Sequence, residues 1–295
     1  METRTYAAPA KLNLHLGIYD VLDQRGYHKA DSVMVALDLC DRVTVSVPHG
    51  DAEDGMPMVT CNPEVDVPAE RNTVYRAAMA LATAVGKVPA VRIEVQKIVP
   101  DQAGMGGSSS DAATTLRALC ELWGVDPHDE RVERAARSVG ADVPFFLDPV
   151  PTYLVGAGDV VEQKYPRPPC PIPVVLVRPQ GPGVSTQAAY AAFDECHDAP
   201  GDPGPLCKAL YRGNADAAEL AGLLFNNLDP IACRLLPAVG EVRAWLLGQD
   251  GVLGGQVTGS GSCVFGICHT HDEAARIAAL ARSRFGGWAQ AAHIV

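Results

Sequence analysis

Leu12, Leu14, Leu16 and Ile18 alternate with Lys11, Asn13, His15 and Gly17, the two-residue period of a β-strand. Lys11, Asn13 and His15 share the face opposite the leucines, where a solvated surface is the ordinary expectation. A turn over residues 23–28 exits through Gly26-Tyr27-His28. Residues 33–37 and 43–47 read as two further strands, and an acidic loop follows at 49–55. The period then lengthens. Val74, Ala77, Ala78, Leu81 and Val85 recur at helical steps, with Asn72 as N-cap and Gly86 as stop. Val91, Ile93 and Val95 return to strand alternation. Ala112, Ala113, Leu116, Leu119, Cys120 and Trp123 return to the helical period, which ends at Gly124 with Pro127 beyond. A charged helix over 129–139 stops at Gly140.

Five prolines between Tyr165 and Pro173 exclude a helix or central strand and mark a connector. It divides the chain into residues 1–165 and 166–295. Beyond it, 174–177 reads as a buried strand, and Ser185 caps a short helix through Tyr190 and Phe193. An exposed Pro/Gly/Asp loop spans 198–205, and helices follow over 215–224 and 237–247. Strands at 252–257 and 263–267 flank the turn Thr258-Gly259-Ser260-Gly261-Ser262; a helix over 272–284 and a strand at 291–294 complete the chain. The pattern predicts an α+β sandwich, with helices on one face of a mainly antiparallel sheet.

The composition narrows this picture. With 47% hydrophobic residues in 295, a sizeable core is available. The net charge of −11 argues against a nucleic-acid or anionic-membrane binder. The nine cysteines are scattered, contain no C-x-x-C and signal neither a disulfide framework nor a zinc site. Most lie beside apolar residues and are expected in the core. No apolar run spans a bilayer and the first residues carry no signal-peptide pattern, so a soluble protein of a reducing cytoplasm is expected; a monomer or homodimer is the expected assembly.

One stretch carries candidate chemistry. In Pro100-Asp101-Gln102-Ala103-Gly104-Met105-Gly106-Gly107-Ser108-Ser109-Ser110-Asp111, three glycines and three serines join a strand to a helix N-terminus. Unpartnered N–H groups, the helix dipole and close backbone approach favour a bound phosphate. The candidate ligands are Gly104, Gly106, Gly107, Ser108, Ser109 and Ser110. The spacing is neither G-x-x-x-x-G-K-[ST] nor G-x-G-x-x-G. No set of residues has metal-ligand spacing, so a divalent ion is expected to arrive with a polyphosphate. Asp142 stands between Gly140 and Pro144 and ahead of Phe145-Phe146. It reads either as a turn former or as a partly buried, chemically useful acid.

Taken together, Pro9-Ala10-Lys11-Leu12-Asn13-Leu14, the Gly/Ser loop and Thr258-Gly259-Ser260-Gly261-Ser262 resemble the GHMP kinase superfamily in order and spacing. Gly26-Tyr27-His28 and Gly140-Ala141-Asp142-Val143-Pro144-Phe145-Phe146 resemble its branch acting on cytidyl-diphosphate-linked methylerythritol in non-mevalonate isoprenoid synthesis. The resemblance implies a two-lobe fold, with an N-terminal lobe like ribosomal protein S5 domain 2 and a ferredoxin-like C-terminal lobe. It implies ATP with Mg²⁺ as phosphoryl donor and a small-molecule alcohol as acceptor. It makes Asp142 and Lys11 catalytic, places Asn13 near the acceptor, and sets Tyr27, His28 and Tyr190 around the cytosine. Other acceptors of the superfamily (mevalonate, homoserine, a sugar) and a non-catalytic nucleotide binder stand as alternatives. Three positions depart from the family's pattern. Met105 replaces a leucine of similar volume, Ser108 replaces a glycine, which matters if the backbone there needs positive φ or very close phosphate approach, and Asn227 replaces an aspartate.

Overall fold

The structure, a computed structural model, describes residues 2–47, 55–65 and 67–295. The acidic loop expected at 49–55 lies outside the described residues except for Gly55. Two compact units are built from interleaved stretches. Unit one takes residues 1–10, 39–99 and 106–149; unit two takes 11–38, 100–105 and 150–295.

In unit one, β1 (Glu2–Leu22) begins and β2 (His28–Val47) ends. β3 (Met58–Asn62) precedes α1 (Thr73–Val85) and β4 (Arg92–Gln96). β4 runs antiparallel to β2, with Thr44 opposite Glu94, and parallel to β3, with Val59 opposite Ile93. α2 (Gly107–Trp123), α3 (Glu130–Val139) and α4 (Val143–Leu147) follow. α1 packs on α2 and α3, and α4 packs on α2. Leu81 and Leu116 are fully buried between them. Each contributes about 1.5–3 kcal/mol relative to an exposed position.

Asn72 caps α1 as predicted, its Oδ1 accepting the Val74 N–H at 2.9 Å; Asp129, expected inside its helix, is the N-cap of α3, its Oδ1 accepting the Arg131 N–H at 2.8 Å. Gly86 and Gly124 close their helices in the left-handed conformation, at φ 68° and 66°. The strands expected at 33–37 and 43–47 are one continuous strand. The intervening Asp38-Leu39-Cys40-Asp41-Arg42 holds no glycine or proline, and Leu39 and Asp41 are buried there.

In unit two, β5 (Thr152–Val155) pairs antiparallel with β6 (Val160–Lys164) and with the first part of β2. The Pro-rich connector leads to β7 (Ile172–Arg178), and both of its ends belong to this unit. α5 (Thr186–Glu195), α6 (Gly204–Tyr211), α7 (Ala217–Gly222), β8 (Phe225–Asn226), α8 (Asp229–Leu235) and α9 (Pro237–Leu247) come next. The chain ends with β9 (Val252–Val257), β10 (Val264–Cys268), α10 (His271–Phe285) and β11 (Trp288–Ile294). β7 lies between β11 and β10, and β9 continues on β10, all antiparallel. Val175, Val177, Val242, Leu246, Val264 and Ile277 fill the core. The short elements β3, β5, β6, β8, α6 and α8 carry too few residues for a periodic signal, and the sequence pattern did not predict them.

The cysteines are less buried than their neighbours suggested. Cys120, Cys263 and Cys268 are buried, whereas Cys170 and Cys196 are exposed. Among the described residues no helix is long and apolar enough to cross a membrane.

Candidate active site

The face of β1 expected to meet water is buried. Lys11, Asn13 and His15 are only 3%, 1% and 1% exposed. A buried cation requires polar partners. Lys11 Nζ donates to Asn13 Oδ1 at 2.5 Å. The Asn13 side-chain amide donates to Ser32 Oγ at 2.8 Å, and Ser32 Oγ donates to the His15 carbonyl at 2.9 Å. Gln256 Nε2 donates to the carbonyls of Asn13 and Leu14. The strand therefore buries its polar face on a hydrogen-bonded layer, which apolar periodicity cannot reveal.

Thr258 joins three of the sequence motifs within unit two. Its Oγ1 accepts the Asn13 backbone N–H at 3.2 Å and lies 3.3 Å from both Asn13 Oδ1 and the Gly104 carbonyl. Gly104 has φ +72°, and a Cβ there would meet the Thr258 carbonyl oxygen at 2.0 Å. A Cβ on Gly259, at φ +58°, would stand 3.4 Å from Lys11 Nζ. The Lys11 N–H also donates to the Met105 carbonyl at 3.0 Å. Lys11, Asn13, Gly104 and the Thr258-Gly259 turn are thus brought together. Thr258 belongs to a motif of the resemblance, which implies no role for it; Ser32 and Gln256 carry no signal in the sequence.

In unit one, Gly106 is the left-handed N-cap of α2, at φ 70°, and Gly107 is the first helical residue. Ser108, Ser109 and Ser110 complete the first turn; the N–H groups of Ser108 and Ser109 lack intrahelical acceptors, whereas that of Ser110 donates to the Gly106 carbonyl at 2.9 Å. Ser108 is exposed, lies outside the positive-φ region, and accepts a hydrogen bond from Thr73 Oγ1 on its carbonyl at 2.9 Å. The helical backbone at this position therefore tolerates serine. Ser110 Oγ, Asp111 Oδ1 and Thr114 Oγ1 are buried without a hydrogen-bond partner among the described residues. Orphaned oxygens in the first two turns of a helix fit a site completed by a ligand or its cation. Asp142 precedes α4 as its N-cap, half-buried, with no side-chain cap bond. Phe145 and Phe146 behind it are 1% exposed. Gly140 neighbours α2; a Cβ there would lie 3.9 Å from Ser109 Oγ. Asp142 stands at a half-buried helix start, two residues beyond Gly140.

Beneath α2 lies an ion cluster that sequence reading missed. Lys97 Nζ donates to Asp41 Oδ2 at 2.5 Å and to Asp111 Oδ2 at 2.7 Å, and all three side chains are at most 8% exposed. Burial pushes the Asp111 carboxyl up to about 7; the Lys97 ammonium opposes the rise and Asp41 adds to it. Burial pulls the Lys97 ammonium down, but the two carboxylates outweigh it and hold it above the ordinary lysine range. Asp111, raised in the folded state, favours folding fully below the ordinary carboxylate value and loses that contribution as pH rises through about 7. Stability is therefore expected to decline between about pH 4 and pH 7, and Asp111→Asn to flatten that slope. Denaturation midpoints across this range check it; an unchanged slope in the variant contradicts the assignment.

The remaining candidates lie in unit two. His28 Nδ1 faces the Tyr19 carbonyl at 2.9 Å, an acceptor only, which places a proton on that nitrogen. His28 Nε2 lies 2.9 Å from Asp194 Oδ1. The ring sits 5.6 Å from Tyr190 and 5.4 Å from Phe193, so His28 at the start of β2 is brought beside Tyr190 of α5. Tyr27 is 61% exposed, with the Arg25 guanidinium 5.4 Å from its ring. Asn227 accepts the Ile18 N–H at 3.0 Å and donates to the carbonyls of Ile18 and Asp198 at 2.9 and 3.2 Å. Only an amide can both accept and donate there, which explains the departure from aspartate.

Two family models match the chain, GHMP kinases N terminal domain over residues 72–148 and GHMP kinases C terminal over 206–286. A 4-diphosphocytidyl-2-C-methyl-D-erythritol kinase of Desulfitobacterium hafniense (strain Y51) is 36% identical over 278 residues, covering 94% of this chain and 91% of the relative. A crystal structure of a 4-(cytidine 5'-diphospho)-2C-methyl-D-erythritol kinase superposes with a TM-score of 0.73 at 31% identity, covering 98% of both chains. The Methanococcus jannaschii mevalonate kinase shares the fold at 12% identity, with a TM-score of 0.69 over 100% of this chain and 99% of its own. The identity over nearly the whole length of both chains, together with the two matched models, makes this chain a member of the GHMP kinases, in the 4-diphosphocytidyl-2-C-methyl-D-erythritol kinase family.

Proposed function

We propose that this chain transfers the γ-phosphoryl group of ATP to the 2-hydroxyl of 4-diphosphocytidyl-2-C-methyl-D-erythritol, a step of non-mevalonate isoprenoid precursor synthesis in the cytoplasm. One observation carries the reading. Lys11 and Asn13, expected in water, are instead buried against Thr258 and beside Gly104 of the Gly/Ser loop. A desolvated ammonium beside a glycine-rich loop is suited to the charge of a transferring phosphoryl group.

In this reading the N–H groups of Gly106, Gly107, Ser108 and Ser109 receive the phosphates at the α2 N-terminus. Ser110, whose buried hydroxyl lacks a protein partner among the described residues, would hold Mg²⁺ or a phosphate oxygen. The ion supplies neutralisation of phosphate charge. Asp142 takes the proton of the acceptor hydroxyl as the new P–O bond forms, and the bond from the γ-phosphorus to the bridging oxygen breaks to release ADP. Lys11 offsets negative charge on the transferring group, and Asn13 orients the acceptor. Tyr27 and Tyr190 stack on the cytosine, and His28 hydrogen-bonds its edge. The division into an N-terminal ATP-binding domain, 1–165, and a C-terminal domain, 166–295, belongs to the same proposal.

The direct test is phosphoryl transfer with Mg²⁺-ATP across a panel of the cytidyl substrate, mevalonate, homoserine and galactose. Turnover with the cytidyl substrate alone is expected; transfer to another acceptor instead defeats the reading. Tyr27→Ala and His28→Ala should each raise the acceptor KM about tenfold, with the ATP KM within twofold. A lost stacking contact is worth on the order of 1–3 kcal/mol. Equal rises in both KM values would remove the cytosine assignment.

A further inference from the structure

The Lys97 cluster is larger than a single ion pair. Lys97 immediately follows β4, and its N–H donates to the Asn62 carbonyl at 2.8 Å. The next two residues lead into the Gly/Ser loop, and both are held by Asp41 of β2. Its Oδ1 accepts the backbone N–H of Ile98 and, at 2.7 Å, that of Val99. Asp41 Oδ2 holds Lys97 Nζ, which in turn holds Asp111 in α2, past the far end of the loop. Gly107 closes the arrangement: a Cβ there would stand 3.3 Å from Lys97 Nζ and 3.3 Å from Val99 Cγ1. One buried ammonium therefore ties the strand exit, the start of α2 and β2 together. A cation under a helix N-terminus is unfavourable against the dipole. Two carboxylates offset it, so Lys97 is already committed to protein partners and does not serve as the loop's free phosphate-binding cation.

We propose that Lys97, held between Asp41 and Asp111, is a positioning residue that fixes both ends of the Gly/Ser loop and so sets the geometry in which the nucleotide phosphates are received. The proposal rests on the reading of that loop as the phosphate cradle. Buried ion clusters add little net stability over apolar replacements of similar volume, whereas removing one partner is costly. That difference separates positioning from mere support.

The experiment compares Lys97→Met, the double variant Lys97→Met/Asp111→Leu and the reference Ser110→Ala in the full chain. It reads ATP KM, acceptor KM and Tm. Lys97→Met is expected to lower Tm and raise the ATP KM at least tenfold, leaving the acceptor KM within twofold. The double variant no longer carries Asp111 without its cation, and Asp41 keeps the Ile98 and Val99 N–H groups, so it should recover part of the lost Tm but not the ATP KM. Ser110→Ala should raise the ATP KM with Tm unchanged. Recovery of both Tm and ATP KM in the double variant would overturn the positioning role, as would parallel rises in both KM values. If Ser110→Ala leaves the ATP KM unchanged, the cradle reading fails and the proposal fails with it. If Ser110→Ala raises it while the double variant matches wild type, only the positioning role is lost.

Discussion

Asp142→Asn should lower kcat by about 100- to 10,000-fold, the range in which a positioned general base contributes. The amide is nearly isosteric, and Asp142 makes no side-chain cap bond to α4, so the change removes no cap. The packing behind it rests on Phe145 and Phe146, whose rings meet edge to face at 4.9 Å. The melting transition should therefore stay near that of the wild type while turnover collapses. Lys11→Met tests the other charge: the methionine keeps much of the buried stem and removes the ammonium. A loss of similar size in kcat is expected. Residues acting on one transition state are not additive, so the double variant should be little worse than either single one. Steady-state rates with the cytidyl substrate, beside thermal unfolding, check all three. An Asp142→Asn enzyme turning over at near wild-type rate would end the general-base assignment.

Gly104→Ala should be the most damaging single-methyl change in the chain. The left-handed conformation at φ +72° costs a non-glycine residue roughly 1–2 kcal/mol. The larger part is steric. The added Cβ would lie 2.0 Å from the Thr258 carbonyl oxygen and 3.2 Å from that of Gly261, and both are backbone atoms that no side-chain rotation can move aside. Relief requires the Thr258 turn to shift, and Thr258 Oγ1 holds the backbone of Asn13, whose side chain holds Lys11. Stability and turnover should fall together. Gly86→Ala is the control. Gly86 has nearly the same conformation, φ +68°, with no atom within 4 Å of its added Cβ. The difference in Tm between the two variants isolates the clash; equal Tm values would show that the turn yields without cost.

Where the structure agrees with the sequence, the signals are local. Asn72 and Ser185 were legible as caps because a side-chain acceptor just before a helical period satisfies its first N–H groups. Gly86 and Gly124 were legible as stops because the left-handed conformation is cheap only without a Cβ. The turn glycines Gly104 and Gly106 were legible for the same reason, and Ser108, being helical, needs no positive φ. What failed was the environment of polar residues. The alternation in β1 separated Lys11, Asn13 and His15 from the leucines onto a face that ordinarily meets water, when they are buried, with Asn13 bonded to Thr258 and Gln256 some 240 positions away.

The sequence by itself determined the elements, the conformational role of the loop glycines and the residues of the family's motifs. These follow from the spacing of apolar positions and from backbone sterics within a few residues. The tertiary structure alone decided which polar groups leave water. It buried Lys11 against Asn13, placed Lys97 between Asp41 and Asp111, and gave Asn227 its two-way contact with β1. The physical reason is that desolvation depends on every group that covers a side chain. Those groups come from strands and turns far apart in the chain, so no local pattern records them.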